Sequence, residues 1–553
     1  MEKIKKTNFA EIILILALLF SGMFYEYLSC AAAIAMTVWL VIKALKEKQL
    51  RFQLNIVSVS ILAINLFYAL TAFWAVDSGA AVIGFMKFLP ITLYLLILMQ
   101  TDDTQTIFDR LPIIAAVMTA VSAVGMHIGF SKDFFSVAGR LAGFFEYPNT
   151  FALFLLVAEL LCLSKEKLKG VDFAVIPVLI FGILYSGSRT VFVLTVLSNA
   201  VLFFARGNKK RRWFLAATAA AFAVGIAIYI AFFGKDGAFG RFLTLSLNSS
   251  TFVGRLLYFK DALPLVLKHP FGLGYMGYYY IERSVQSGVY SVMFVHNDFL
   301  QLLLDVGWIP SVLFIIAAVK SVFGGKKPLR DRLAAGVILL HCAFDFDLQF
   351  VAMFMLFLLF TNYKDGKTIY FKKNEAVCAV GFAAAVLSAY FGTALALEHF
   401  GKYEAAFSVC PFDTRSEIQL LTREDDDERA AELADDIIKR NEYATVAYSV
   451  KARQAYSDGD FAKLIEYKNE IFEKAPFDYD EYEEYCYMLI NGYLLYGKSG
   501  DSASAAVCLR ELKKTAETVR TLDERLSELG ASIKDQPKTT LPDDIMKYVD
   551  LKG

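Results

Sequence analysis

Three side chains suited to anion and proton chemistry stand where long apolar runs begin or end. Arg189 opens one run, Arg255 lies in the polar stretch 234–295 between two others, and His296 follows that stretch at the mouth of the next run. Arginine keeps its charge at any relevant pH, and its planar fork binds phosphate oxygens bidentately. Histidine titrates where it can take a proton from a hydroxyl. Each residue also has a plainer use, because an isolated arginine at a span end serves as a snorkelling anchor and a lone histidine is commonly structural. Asn297, Gln301 and Asp305 recur at i, i+4 and i+8 and so project on nearly one helix face. At helical rise Asp305 lies ~13 Å inward from His296, a depth at which a carboxylate needs a partner. Lys87, about two turns into its own run, is the expected partner, in a buried structural pair or beside a polar cavity under a lipid headgroup.

The elements that position these groups are set by composition. Of 553 residues, 56% are apolar and 15% aromatic, and runs long enough to cross a ~30 Å hydrocarbon core recur from Phe9 to Leu397. This is a polytopic membrane protein, an all-α helix bundle. Thirteen candidate spans fall near 9–25, 28–45, 54–74, 80–99, 111–129, 148–164, 171–187, 189–205, 213–233, 295–322, 333–346, 348–363 and 375–397. The first follows Lys3, Lys5 and Lys6 like a signal sequence, but no small-residue cleavage site comes after it, so it is expected to remain as a helix. With 56 basic and 56 acidic residues the chain carries no net field that would attract nucleic acid.

Orientation is read from where Lys and Arg collect. Lys43, Lys46, Lys48 and Arg51 share a side with the N-terminus, as do Lys165, Lys167 and Lys169, Arg206 with Lys209, Lys210, Arg211 and Arg212, Lys326 with Lys327, Arg330 and Arg332, and Lys364 with Lys367, Lys372 and Lys373. That side is expected to be cytoplasmic. The loop 234–295 and everything after Leu397 then face outward.

Near residue 398 the composition turns from apolar to charged, which marks a domain boundary and divides the chain into a membrane domain, 1–397, and a soluble helical domain, 398–553. Ala455-Tyr456, Gly459-Asp460-Phe461 and Ala475-Pro476 have the spacing of one tetratricopeptide repeat, and Pro411-Phe412-Asp413 and Pro476-Phe477-Asp478 echo one another. Stacked helix pairs form a solenoid whose concave face suits a protein partner, and a purely structural cap is the alternative. The seven cysteines lack metal-ligand spacing; Cys30, Cys162, Cys342 and Cys378, inside apolar runs, are expected to pack as small apolar groups, and Cys410, Cys486 and Cys508 in the tail allow at most one internal disulfide.

The order Arg140-Leu-Ala-Gly143-Phe-Phe-Glu-Tyr-Pro148-Asn149, Ser186-Gly-Ser-Arg189, Gly254-Arg255, Pro270-Phe-Gly272-Leu-Gly274, His296-Asn297 and Gly307 resembles the bacterial O-antigen ligase and polymerase superfamily. The likeness covers roughly 120–320 in motif and 1–397 in topology. One departure is Pro310, where the family often has a small or hydroxyl residue. The resemblance implies an inverting glycan transfer from a polyprenyl pyrophosphate carrier to an acceptor hydroxyl at the outer face of a bacterial cytoplasmic membrane, with no metal and no cofactor. It implies that Arg189 and Arg255 hold the pyrophosphate, that His296 takes or orients the acceptor proton, and that Arg140 contacts glycan or pyrophosphate; Asn297, Asp305 and Lys87 are expected to line the substrate site from the polar stripe itself.

Related protein oligosaccharyltransferases carry a similar tail, which keeps a protein acceptor open beside a lipid or glycan one. A lipid-linked glycan transporter would show repeat symmetry and broken helices around a midplane site, and no internal repeat is visible in the membrane half. A membrane-anchored scaffold would not need so many spans.

Overall fold

The computed structural model describes residues 8–205, 212–214, 216–220, 223 and 250–550. Most of the expected span 213–233 and the beginning of the loop 234–295 lie outside the described residues. Among the described residues four helices are long and apolar enough to cross a membrane: Glu26–Glu47, Ser78–Gln100, Gln105–Gly125 and Asn374–His399. Shorter apolar helices run Phe9–Leu19, Ile56–Thr71, Pro148–Leu163, Gly170–Ser186, Arg189–Ala205 and Trp308–Phe323. Among the described residues the regular elements are helices apart from two small antiparallel ladders, Leu50–Leu54 with Lys367–Phe371 and Ser136–Val137 with Arg140–Leu141.

Burial follows from side-chain character. Pro148–Leu163 is apolar on all sides apart from Asn149, Thr150 and Glu159 and almost wholly buried, as expected of a central helix, with Pro148 at its first turn where no N–H is needed. Asn374–His399 lies at the edge against Glu26–Glu47, and Val380 and Phe382 stay about 70% exposed, a surface that only lipid would favour.

The ladder between Leu50–Leu54 and Lys367–Phe371 fixes one face of the bundle. There Arg51 pairs with Asp102 (2.9 Å), the Lys364 ammonium donates to the Asp102 carbonyl (3.2 Å), and the Asn8 amide donates to the Asp103 carbonyl (3.0 Å). The basic clusters at 43–51 and 364–373 therefore meet on one side. Residues 126–147, His296 and the tail gather on the opposite one.

Two expected spans are corrected. The run 295–322 is broken into Asp298–Val306 and Trp308–Phe323, with Gly307 between them at φ +78°. A Cβ on Gly307 would lie 2.4 Å from the Pro270 carbonyl, and one on Gly272 2.4 Å from the Asp305 carbonyl. The glycines let the Pro270–Gly274 backbone reach the open helix end. Leu273 N–H donates to Leu304 (2.6 Å), Gly274 N–H to Asp305 (3.0 Å) and Trp308 N–H to Pro270 (2.9 Å), so carbonyls left open by the break are satisfied. Pro310 falls in the first turn of the second helix, where proline is tolerated. In the expected span 348–363 only Val351–Leu358 is regular α-helix, preceded by a 3-10 turn at Asp347–Gln349.

The tail is built from helix pairs with repeated turn chemistry. Gly459 (φ +74°) and Gly500 (φ +78°) end one helix in the left-handed conformation, and Asp460 and Asp501 then cap the next through Lys463 N–H (3.1 Å) and Ser504 N–H (3.0 Å). Cys410, Cys486 and Cys508 are free and buried. The tail docks on the membrane half at several points: Arg415 to Glu26 (3.2 Å), the Asn441 amide to Asp77 (3.2 Å), Arg283 to Asp478 (3.1 Å), and Ser527 N–H to the Ser287 carbonyl (2.9 Å).

Candidate active site

Asp345, in the turn after the helix Leu329–Cys342, is fully buried and gathers five donors. One carboxylate oxygen faces His296 Nδ1 (3.2 Å), the Tyr147 hydroxyl (2.9 Å) and Phe346 N–H (3.1 Å); the other faces Arg255 Nη2 (3.1 Å) and the Asn149 amide (2.8 Å). Arg140 extends the network, donating through Nη2 to the Asn149 oxygen (2.6 Å) and through Nε to the Ser186 carbonyl (2.7 Å). Ser186 ends the helix Gly170–Ser186, and Arg189 opens the next helix three residues later, its side chain half-buried. The expected Arg140, Arg255 and His296 are thus brought together, with Arg189 joined through the shared turn.

His296 itself sits at φ +54°, a conformation that a non-glycine residue holds only when its surroundings impose it. Its ring lies edge-on to Phe346 at 4.9 Å and 6.0 Å from Tyr258. Directly after it, Asn297 caps Asp298–Val306, its oxygen accepting from Phe299 N–H (3.0 Å) and Leu300 N–H (3.1 Å). The cap fixes the turn that presents the imidazole.

The expected Lys87–Asp305 pair is not formed. Asp305 accepts from Gln301 (2.8 Å) and from the Tyr68 hydroxyl (2.9 Å), and Gln301 also accepts from Val295 N–H (2.9 Å). These shorter reaches satisfy the carboxylate first. Lys87 donates to the Tyr275 hydroxyl (2.9 Å), which donates to Glu26 (2.7 Å), and its ammonium lies 4.8 Å from the Phe24 ring centre. Phe24 and Phe294 are 6.2 Å apart, and Phe294 and Phe346 5.2 Å, so an aromatic layer stands between Lys87 and His296.

Asp345 escaped the sequence reading because it fell inside an expected span. The signal was present: two acids, Asp345 and Asp347, interrupt apolar sequence, and an ionisable residue at membrane depth is a functional candidate by default. Asp347 accepts from Thr150 (2.7 Å) and pairs with His341 (2.5 Å). With Asp298 and Cys342 it forms, among the described residues, a group whose donor atoms lie within 4.8 Å of one another and could hold a metal. These atoms are buried and partly engaged, since Asp298 accepts from Leu348 N–H (2.9 Å), which also suits a hydrogen-bonded core nest. In the loop preceding His296, burial pushes the Glu282 carboxyl up to about 7.

The apolar helices and the cluster around Asp345, on the face opposite the basic loops, define the class as a multi-pass membrane protein with a charged site at one surface. Residues 174–315 match the family described as O-antigen ligase, and the chain carries a domain of the O-antigen ligase superfamily. Arg189, Arg255, His296, Asn297 and Asp305 fall within the matched residues; Lys87, Arg140 and Asp345 do not. None of the curated proteins matches the chain. The family ties the protein to glycan ligation or polymerisation in surface polysaccharide assembly, a glycosyl transfer between a lipid-linked donor and an acceptor.

Proposed function

We propose that the protein is an inverting transferase that moves a glycan from a polyprenyl pyrophosphate carrier to an acceptor hydroxyl at the outer face of a cytoplasmic membrane, without metal. The observation that carries this reading is the single buried carboxylate, Asp345, holding both Arg255 and His296. With its proton on Nδ1 toward Asp345, His296 keeps Nε2 as the acceptor for the incoming hydroxyl proton. The acceptor oxygen forms its bond to the anomeric carbon as the bond from that carbon to the phosphate oxygen breaks. The pyrophosphate leaves with the electron pair, and Arg255, Arg189 and Arg140 face the charge that develops there. Asn297 acts by capping the helix behind His296, Asp305 by bracing that helix, and Lys87 from behind the aromatic layer. The outward tail, read as tetratricopeptide-like, lies beside the transfer face and is available to a partner.

Purified protein in lipid, supplied with a carrier-linked glycan, an acceptor and excess chelator, tests this directly. Wild type should transfer. Arg255→Ala and Arg189→Ala should each lose transfer by ~10²-fold or more, with Arg→Lys rescuing poorly because a point charge does not reproduce the fork. Wild-type rates in both folded alanine variants would remove these residues from the site, and chelator inhibition reversed by a divalent ion would overturn the metal-free step.

A further inference from the structure

A second polar patch on the same face contains a carboxylate that the transfer step does not use. Glu146, half-buried, accepts from the Ser21 hydroxyl (2.6 Å) and the Tyr25 hydroxyl (3.1 Å), and has no ion-pair partner among the described residues. Its backbone is left-handed at φ +56°, and it faces a second strained segment, Ser21, Gly22 and Met23 at φ +46°, +58° and +55°. Residues held in this way cluster where a ligand is clamped.

Beneath the patch an apolar groove of about 490 Å³ opens between the outer halves of Glu26–Glu47 and Asn374–His399. Ala31, Ala389, Gly392 and Ala396 keep it shallow-walled, Tyr27 and Phe400 close its upper end, and no lysine or arginine lines it. The Ser388 hydroxyl within it is buried and lacks a hydrogen-bond partner. Tyr27 connects groove and patch, stacking with Tyr25 (6.2 Å between ring centres), while His399 lies 4.5 Å from Tyr25. From Tyr25 the contacts continue to Glu146, to its neighbour Tyr147, and through the Tyr147 hydroxyl to Asp345 and His296.

We propose that this groove and patch receive the acceptor as a glycolipid whose head group carries no phosphate, its chain in the groove and its sugar along Tyr25 and Glu146 with a hydroxyl presented to His296. The inference rests on the transferase reading and adds the acceptor class and its route. Charge selects the occupant: the Glu146 carboxylate, with no ion-pair partner among the described residues, accepts sugar hydroxyls and repels a phosphate, and the nearby Arg415 is taken up by Glu26 and Glu398 (3.2 Å each), whereas Arg255 and Arg140 stand around Asp345, where the donor's pyrophosphate belongs. Aromatic faces beside a carboxylate suit a sugar ring, and a groove of small side chains suits a hydrocarbon chain.

The test uses full-length protein in lipid and a diacylglycerol-linked disaccharide with a diazirine in one acyl chain, cross-linked by light and mapped by peptide mass spectrometry. Labels should fall on Glu26–Glu47 and Asn374–His399, and Ala31→Phe with Ala389→Phe, both at exposed positions, should remove them. Val117→Phe, on an exposed position of another helix, should leave them in place. The same disaccharide on polyprenyl pyrophosphate should compete about tenfold less well, and Glu146→Gln should narrow that gap. Labels that survive the groove-filling pair, equal competition by the pyrophosphate form, or equal displacement by plain phosphatidylglycerol would each overturn the proposal. Labelling needs no turnover. Retained labels with no transfer would therefore sink the transferase reading alone, and normal transfer with no label here would sink the acceptor route alone.

Discussion

The turn around Asp345 and the helix end around Asp305 each hold a fully buried carboxylate, but with partners of opposite kind. Asp345 faces Arg255 and His296, cations or groups that become cations, whereas Asp305 faces Gln301 and the Tyr68 hydroxyl, which stay neutral. A buried carboxylate with mobile-charge partners can pass a change in protonation to a substrate; one with neutral partners can only brace what it touches. The difference separates chemistry from architecture within one chain.

The comparison breaks most easily at the carboxylates themselves. Asp345→Asn should lower turnover on the order of 10³-fold, because the amide offers the wrong donor pattern to His296 and leaves Arg255 uncompensated. Asp305→Asn should leave the turnover of folded protein within about threefold and lower stability by ~1–2 kcal/mol. Steady-state rates and thermal unfolding of the two variants decide it, and equal losses of turnover would erase the distinction.

A second substitution sharpens the architectural side. Gly307→Ala places a Cβ against the Pro270 carbonyl at a positive φ, so it should cost about 1–3 kcal/mol of stability, read as lower folded yield and a lower Tm. Protein that does fold should keep its donor KM. An unchanged Tm would mean that the break between the two helices is not held as described.

How much of this was legible in the sequence follows the same division. His296 was visible as a histidine at the mouth of an apolar run and Arg255 as a cation in the polar stretch between two runs, while Arg140 and the glycines at 272, 274 and 307 were legible as motif positions of the resemblance. Asp345 was hidden because the expected span 333–346 ran past the end of the helix Leu329–Cys342 and took in the turn that follows it. The Lys87–Asp305 pairing failed for another reason: helical rise gives depth, but which side chain arrives first is decided by packing, and Tyr68 and Gln301 arrive before Lys87. The break at Gly307 was likewise invisible, since apolar residues continue across it and the demand for glycine comes from a segment some 35 residues earlier in the chain. Thirteen runs could be counted from hydropathy, yet where each helix stops is set by such contacts.

The smallest expected effect lies in the loop before His296. Burial raises the Glu282 carboxyl to about 7, so the folded loop favours the protonated form. Its contribution to stability is present at low pH and is lost as pH rises from the ordinary carboxylate value through about 7. Glu282→Gln should therefore raise Tm at pH 8 and leave it nearly unchanged at pH 5, measured by thermal unfolding at both pH values. A larger gain at pH 5 would reverse the sign.

The central claim is that His296, held by Asp345, takes the acceptor's proton, and rates of His296→Ala, Asp345→Asn and the double variant in one reconstituted transfer assay test it most directly. The account predicts that His296→Ala loses on the order of 10²–10⁴-fold in turnover with donor binding retained, and that adding it to Asp345→Asn costs far less than in the wild type, because the two groups act as a unit. Full turnover in His296→Ala, or losses that simply multiply in the double variant, would contradict it.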